Sequence, residues 1–240
     1  MSYYTQTYSA LLDDLKATHS YEDAMQLFVG GQFAQLGYLE EQLLSAVGMT
    51  CTSSIVDVGC GSGRLPIRIK DSFCGKYIGT DLFPEVLEYA RAQVNCEHFE
   101  FIQVDSCRIP IPAGWADIVT FFSVFTHLID EDCFRYLSEA KRVTKPGGLI
   151  VISFLDFDEP WHYPIFEQSL NNPNTNKVLN RFLSKSALQK WCEVLGLNLE
   201  QLHTGSHRWI PLKEDIVYDG GRSVSEISEF GQSIALIRVL

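Results

Sequence analysis

Five apolar runs rich in β-branched and aromatic residues recur in the middle of the chain, and helical patterns lie between most of them. The runs are SIVDV (54–58), KYIGT (76–80), FEFIQV (99–104), ADIVTFF (116–122) and GLIVISF (148–154). Several are apolar almost throughout, which is typical of strands covered on both faces. Strands that alternate with helices predict βαβ units and a parallel sheet.

The helical pattern after the fourth run is the clearest one. The segment IDEDCFRYLSEAKRVTKPGG (129–148) has acidic side chains in its first turn and basic side chains near its end. This polarity suits the helix dipole, and the Pro-Gly-Gly at 146–148 predicts where the helix stops. Phe134, Leu137 and Ala140 fall on one face, which we expect to pack on the sheet.

The flanks of this region predict further elements. Helical patterns cover residues 20–28 and 37–47, before the first run, and residues 184–197, after the fifth. The segments LNLEQLHT (197–204) and SIALIRV (233–239) predict a last hairpin that adds an antiparallel strand to the sheet.

Residues 156–183 interrupt this order. The stretch from 156 to 176 has three prolines, four asparagines and several aromatic residues, without a regular pattern. Long loops in compact domains often act as lids or binding loops, so we predict an insertion that covers the acceptor site. A surface excursion that contacts no ligand is the alternative.

Composition and charge narrow the class of protein. The 240 residues are 46% hydrophobic, which is enough for one core, so we predict a single domain (1–240) with a helical lead-in (1–50). The formal net charge is −11, from 19 Lys and Arg against 30 Asp and Glu. An acidic surface repels phosphate backbones and makes a nucleic-acid partner unfavourable, although a local basic groove stays open.

Compartment and metal binding follow from two further observations. The N-terminal sequence lacks the features of a signal peptide, and the most apolar segment (149–155) is too short to span a bilayer. The seven cysteines form no CxxC pair, so neither a zinc site nor a disulfide framework is predicted. We therefore expect a soluble, cytoplasmic protein that has no membrane partner and no metal.

The chemistry of the chain centres on VDVGCGSGR (56–64). The dinucleotide fingerprint GxGxxG fails here, because Arg64 occupies the sixth position and Gly63 comes one position early. The phosphate loop GxxxxGK[ST] fails as well, because no Lys-Ser or Lys-Thr pair follows. What remains is D-x-G-x-G-x-G, from Asp57 to Gly63, at the end of a predicted strand.

Together with its context, this sequence resembles the class I methyltransferases that use S-adenosylmethionine. The resemblance runs from about residue 28 to the C-terminus, and its order and spacing make it specific. It rests on VDVGCGSGR, on TDL (80–82), on VDS (104–106), on ADIVTFFSVFTHL followed by EAKRVTKPGGLIVISF, and on GGQFAQLGYLE (30–40). It implies a Rossmann-like, doubly wound α/β fold with a mostly parallel seven-stranded sheet and one antiparallel strand near the C-terminus.

The resemblance also implies a set of cofactor-binding residues. Gly59 and Gly61 would leave room for the aminoacyl part of S-adenosylmethionine, Asp57 would hold its amine, and Asp81 would accept both ribose hydroxyls. The remaining residues implied are Leu82, over the adenine, Asp105 and Ser106, beside its amino group, Ser123, near the methionine moiety, and Gly63. Gly63 would alternatively serve only helix–strand packing, Asp105 would be a turn acid and Ser106 a cap.

Catalytic and acceptor-binding residues are less well defined. The reaction is an in-line displacement in which alignment does most of the work, and a base is needed only if the nucleophile loses a proton. His127 and Asp156 are candidate bases, and the pair of His127 with Leu128 is alternatively structural. Trp161, His162 and Tyr163 would line the acceptor site or form a core of the insertion, and the N-terminal tyrosines Tyr3, Tyr4 and Tyr8 would belong to a lid.

The default acceptor is a small molecule with an oxygen or nitrogen nucleophile, such as a metabolite, a sugar or a natural-product intermediate. The [DNS]PP[YFW] signature of base-directed enzymes is replaced by Phe-Ser-Val-Phe at 122–125. Two alternatives stay open: a non-catalytic partner or regulatory subunit that binds the cofactor, and an enzyme that transfers an aminopropyl group or binds another adenosyl ligand. The product from the cofactor would be S-adenosylhomocysteine. The oligomeric state is not readable.

Overall fold

The computed structural model describes residues 2–171 and 178–240. The helices are α1 (Ser2–Thr18), α2 (Tyr21–Phe28), α3 (Phe33–Ala46), α4 (Arg64–Ile69), α5 (Pro84–Val94), α6 (Asp130–Val143), α7 (Tyr163–Asn171) and α8 (Lys185–Leu195), with a 3-10 turn at Pro160–His162. The longer strands are β1 (Ser54–Val58), β2 (Lys76–Asp81), β3 (Phe99–Gln103), β4 (Ala116–Phe121), β5 (Thr144–Phe154) and β6 (Leu197–His203). They are followed by β7 (Ile210–Pro211), β8 (Ile216–Val217), β9 (Ser223–Val224), β10 (Ile227–Ser228) and β11 (Ser233–Val239). Within the two described ranges, every helix is too short or too polar to cross a lipid bilayer.

Seven strands of the described residues form one sheet in the order β3-β2-β1-β4-β5-β11-β6. The pairs β2–β3, β1–β4 and β4–β5 are parallel, whereas β11 is antiparallel to both β5 and β6. β11 is buried along nearly its whole length because it lies between two strands, whereas β6 is the partly exposed edge. The predicted α/β class, with a mostly parallel sheet and one antiparallel strand near the C-terminus, is confirmed.

The chain divides into two compact units. The first unit comprises Met1–Thr52, Gly59–Asp105 and Arg208–Ser228. The second unit comprises Ser53–Val58, Ser106–His207 and Glu229–Leu240. The single domain expected over 1–240 stays a prediction beside this division.

The lead-in helices of the first unit pack around an apolar cluster. The two predicted helices are confirmed as α2 and α3, although α3 begins four residues earlier than expected. The Ser20 hydroxyl caps α2 by accepting a hydrogen bond from the Asp23 N–H at 3.1 Å. The sequence did not predict α1, whose Leu12 packs with Met25 and Phe28 of α2 and with side chains of α5.

The helix after β4 ends earlier than the sequence suggested. α6 stops at Val143, and the segment expected to end it forms the start of β5. The Thr144 hydroxyl donates to the Ala140 carbonyl at 2.7 Å, and the Trp115 N–H donates to the Val143 carbonyl at 2.8 Å. The last helical carbonyls therefore have partners, and Thr144 pairs with Ala116 as part of the sheet.

The apolar face of α6 also differs in part from the expectation. Leu137 and Ala140 are fully buried. Phe134 is only half-buried and meets the Trp191 ring of α8 edge-on, with 6.1 Å between the ring centroids. Phe134 is therefore covered by a helix, which the periodicity of α6 alone did not indicate.

The insertion has more regular structure than its composition suggested. The turn at 160–162 and α7 lie inside it, so the expectation of an irregular segment is wrong for 160–171. α7 has only nine residues and buries none of them, so it adds no core position that a sequence pattern would identify. Residues 172–177 of the insertion lie outside the described residues.

Candidate functional site

The three glycines of the loop after β1 all have positive φ angles. These are +72° at Gly59, +54° at Gly61 and +88° at Gly63, in the left-handed region that glycine adopts without strain. The N–H groups of Gly59 and Cys60 both donate to the carbonyl of Thr80, at 2.7 and 3.0 Å. The glycine spacing therefore sets the path of this loop, which hydrogen bonds tie to the end of β2.

Side chains would not fit at two of these glycines. A Cβ at Gly61 would lie 2.4 Å from a methyl group of Val29, and a Cβ at Gly63 would lie 2.8 Å from the Cβ of Ala90 on α5. Gly63 thus permits close packing of α5, in line with the packing alternative raised for it. Gly61 brings the loop against the segment that follows α2.

Asp81 ends β2 with its carboxylate held in place by the backbone. Oδ2 accepts from the Gly61 N–H at 2.9 Å, and Oδ1 accepts from the Phe83 N–H at 3.0 Å. Burial raises the pKa of the Asp81 carboxyl, and these two N–H groups oppose the rise by stabilising the charged form. Each oxygen has a further lone pair, so the carboxylate has the capacity to accept two ribose hydroxyls.

The lead-in helices are bonded directly to the glycine loop and to α4. The Ser62 hydroxyl donates to the Met25 carbonyl at 2.7 Å. Arg64, the residue that breaks the dinucleotide fingerprint, donates from Nη1 to the Val29 carbonyl at 3.0 Å and from Nε to Glu40 Oε1 at 2.7 Å. Arg64 and Glu40 are both buried. Glu40 was not among the predicted site residues, although the adjacent acids Glu40 and Glu41 on a largely apolar helix were a signal.

Tyr8 is the N-terminal tyrosine whose surroundings involve Asp81. Its ring lies 5.5 Å from the Phe28 ring and 6.1 Å from the Phe83 ring, centroid to centroid. Burial raises the pKa of the Tyr8 hydroxyl well above its usual range, and the charge of Asp81 raises it further. Of the other two N-terminal tyrosines, Tyr4 is buried and Tyr3 is exposed.

The residues expected on the adenine side of the cofactor differ in exposure. Leu82 is half-buried and packs against the apolar cluster around Phe83. Asp105, two residues after β3, is exposed. Ser106 opens the second unit and is exposed as well; its carbonyl accepts a hydrogen bond from the Tyr136 hydroxyl at 3.4 Å.

In the second unit, Asp57 and Thr120 face each other across the paired strands β1 and β4. The Thr120 hydroxyl donates to Asp57 Oδ1 at 2.8 Å, and both residues are buried. Ser123, two residues past β4, has a left-handed backbone with φ +59°, which is unusual for a residue other than glycine.

His127 and Asp156, the candidate bases, both have neighbours in the second unit. His127 Nδ1 lies 2.6 Å from the Leu179 carbonyl, which fixes the proton on Nδ1 and leaves Nε2 as the basic nitrogen. Burial lowers the pKa of His127, and the hydrogen bond to Leu179 opposes that effect. Asp156 is buried and forms an ion pair with Lys185 at 2.9 Å.

The three aromatic residues predicted for the acceptor site differ in how far they are buried. His162 is 1% exposed; its Nδ1 accepts from the Asp156 N–H and its Nε2 donates to the Gly231 carbonyl, each at 2.9 Å. Trp161 is 74% exposed and Tyr163 is 49% exposed. His162 thus anchors the insertion, and the two neighbours present their rings to solvent.

Each unit carries groups that suit one part of S-adenosylmethionine. In the first unit, a fixed carboxylate with spare acceptor capacity ends β2, and a loop of left-handed glycines begins the next helix. In the second unit, the buried acid Asp57 is the penultimate residue of β1. The cofactor requires acceptors for its ribose hydroxyls, a backbone without side chains beside its aminoacyl part, and an acid near its amine.

Comparisons with known proteins agree with this assignment. A family model described as a methyltransferase domain matches residues 56–152. The malonyl-[acyl-carrier protein] O-methyltransferase of Hahella chejuensis is 28% identical over 198 residues, covering 79% of this chain and 66% of the relative. The demethylmenaquinone methyltransferase of Lactococcus lactis is 29% identical over 161 residues, covering 64% of this chain and 62% of the relative. The chain therefore spans just under two thirds of the length of these relatives.

Solved structures show the same fold. The magnesium protoporphyrin IX methyltransferase of Synechocystis with bound SAH has a TM-score of 0.59 at 14% identity and covers 86% of each chain. A methyltransferase-like protein of Bacillus halodurans has a TM-score of 0.60 at 20% identity, covering 83% of this chain and 97% of that one. Residues 56–152 of the chain are a methyltransferase domain with the class I, S-adenosylmethionine-dependent fold.

Proposed function

We propose that the protein transfers the methyl group of S-adenosylmethionine to an oxygen or nitrogen atom of a small-molecule acceptor. The proposal rests on the Asp81 carboxylate, which accepts a hydrogen bond from the Gly61 N–H of the glycine loop. Relatives named for malonyl-[acyl-carrier protein], demethylmenaquinone and tocopherol support an acceptor that is a small organic group. The cofactor supplies a methyl group activated by its positive sulfur.

The side chains of the site bind and orient in this proposal. Asp81 holds the ribose and Asp57 the amine, while Gly59 and Gly61 admit the aminoacyl part against bare backbone. The adenine side is assigned to Leu82, Asp105 and Ser106, and the methionine side to the backbone at Ser123. Alignment of this kind accelerates a displacement without a covalent intermediate.

Proton removal, where the acceptor requires it, is assigned to Nε2 of His127. Its lowered pKa keeps the imidazole neutral near pH 7, which is the form that accepts a proton. Asp156 is a weaker candidate base because its carboxylate is already paired with Lys185. We assign Trp161 and Tyr163 to acceptor contacts, and His162 to holding the insertion that presents them. A cytoplasmic location stays a prediction.

The test is a methyl-transfer assay with radiolabelled S-adenosylmethionine and a panel of carboxylic acids, phenols and amines. We expect label on at least one class of acceptor, and its loss in Asp81→Ala. The exposed Asp71 of the same unit provides a matched control, and Asp71→Ala should transfer label as the wild type does. A folded protein that labels no acceptor, or labels only nucleic acid, would contradict the proposal.

A further inference from the structure

Ser123 is held in a strained backbone conformation by a closed set of hydrogen bonds. Its N–H donates to the Ser153 hydroxyl at 2.7 Å. That hydroxyl donates to Gln232 Oε1 at 2.7 Å, and Gln232 Nε2 donates back to the Ser123 hydroxyl at 3.0 Å. Ser123 lies two residues past β4, Ser153 lies in β5 and Gln232 directly precedes β11, so the circuit joins three segments of the second unit.

The circuit holds Ser123 in a backbone conformation that costs free energy. The φ angle of +59° at Ser123 costs a non-glycine residue free energy that glycine would not lose. Such strain persists only where surrounding bonds over-determine it, and it is concentrated at functional sites. The Thr126 hydroxyl adds a bond to the Ser123 carbonyl at 2.6 Å. Ser153 is fully buried, so its hydroxyl is a fixed centre for the circuit.

Ser123 lies where open α/β sheets bind their ligands. It follows β4, which pairs with β1 at the point where the strand order of the sheet reverses. Ligands of open α/β sheets bind outside the carboxyl ends of strands at such a point. The backbone at Ser123 is therefore placed to face a ligand in the one conformation that the circuit selects.

We propose that Gln232 is a positioning residue, which locks the backbone of Ser123 in its left-handed conformation and so pre-organises the methionine side of the cofactor site. The inference rests on the proposed function only in taking the cofactor as the ligand. Without the Gln232 amide, the loop after β4 relaxes and only a fraction of molecules is ready to bind. The apparent affinity then falls by that fraction.

The experiment is a double-substitution cycle read by calorimetric titration with S-adenosylhomocysteine. In the wild-type background, Gln232→Ala should weaken binding about tenfold. In a Ser123→Gly background, the same Gln232→Ala change should weaken binding less than about twofold, because glycine needs no circuit to adopt the conformation. Gln168→Ala, at an exposed position of α7, controls for removal of a glutamine elsewhere in the same unit.

The outcomes separate this inference from the proposed function. Wild-type protein that does not bind S-adenosylhomocysteine would refute the cofactor assignment. Wild-type protein that binds while Gln232→Ala binds equally well would refute the positioning role. A loss in Gln232→Ala that is as large in the Ser123→Gly background would also refute it, because Gln232 would then contact the ligand directly or only stabilise the fold.

Discussion

The glycine loop of the first unit and the insertion of the second unit are built in opposite ways. The loop is held by hydrogen bonds that its own N–H groups donate to Thr80 and Asp81, and the helix that follows it is held by the buried ion pair of Arg64. The insertion is held by side chains, with the Phe157 and Phe182 rings stacked at 4.3 Å. Phe157 remains 55% exposed.

The contrast indicates that the two regions bind different ligands. A main-chain cradle suits a ligand that does not change, because almost any substitution in it alters the backbone. An exposed aromatic surface suits a ligand that differs among related proteins, because its side chains change without cost to the fold. Substitutions in the loop should therefore lower stability and weaken cofactor binding. Substitutions at exposed positions of the insertion should change only the binding of the acceptor.

The largest effect is expected at the buried ion pair. Arg64→Met leaves the Glu40 carboxylate buried without its cation and should lower the free energy of unfolding by about 3–5 kcal/mol. Urea denaturation followed by circular dichroism measures the loss. The control is Lys190→Met in the exposed Lys190–Glu193 pair, with an expected change below about 0.5 kcal/mol. Equal effects at the two pairs would show that the lead-in helices do not depend on Arg64.

The next effect is expected at Gly61. Gly61→Ala combines an unfavourable φ angle with a Cβ that collides with Val29, and should cost about 2–4 kcal/mol. Gly114→Ala makes a matched control, because Gly114 has a φ of +64° but open space where the Cβ would lie, so only about 1–2 kcal/mol should be lost. Denaturation of both variants tests the collision separately from the backbone strain. A smaller cost at Gly61 than at Gly114 would contradict the packing described.

A smaller effect is expected from pH through His127. Because burial lowers the pKa of His127 in the folded state, the unfolded chain binds more protons between that pKa and about 6.5. The stabilising effect of high pH is therefore complete above about 6.5, and stability falls as pH falls through this window. His127→Gln should lose less stability than the wild type between about pH 7.5 and 5.5, measured by denaturant titration at each pH. Parallel curves for the two proteins would refute a lowered pKa of His127 in the folded protein.

The smallest effect on stability is expected in the insertion. Trp161→Ala should change the free energy of unfolding by less than about 0.5 kcal/mol and leave S-adenosylhomocysteine binding intact, while it raises the KM for the acceptor. His162→Phe, one residue further on, removes two buried hydrogen bonds and should cost about 1–3 kcal/mol. Denaturation and steady-state kinetics distinguish the two. An unchanged KM in Trp161→Ala would remove this residue from the acceptor site.

The sheet was predictable because its strands are apolar throughout and are separated by helical patterns. The glycine loop was equally readable, because the spacing of its glycines excludes the dinucleotide and phosphate-loop patterns. The circuit at Ser123 was not readable, because Gln232 is 109 residues away from Ser123 and no periodicity connects them. α7 was missed because it has no buried face, and the end of α6 was misplaced because its carbonyls are bonded by residues 114 and 115.

The most direct test of the cofactor assignment is calorimetric titration of the wild type, Asp81→Ala and Asp71→Ala with S-adenosylhomocysteine. Two hydrogen bonds from ribose to a charged carboxylate predict that Asp81→Ala weakens binding roughly 100-fold or more, while Asp71→Ala binds as the wild type does. If a folded Asp81→Ala variant binds as tightly as the wild type, the carboxylate at the end of β2 does not hold the cofactor, and the assignment of the glycine loop is wrong.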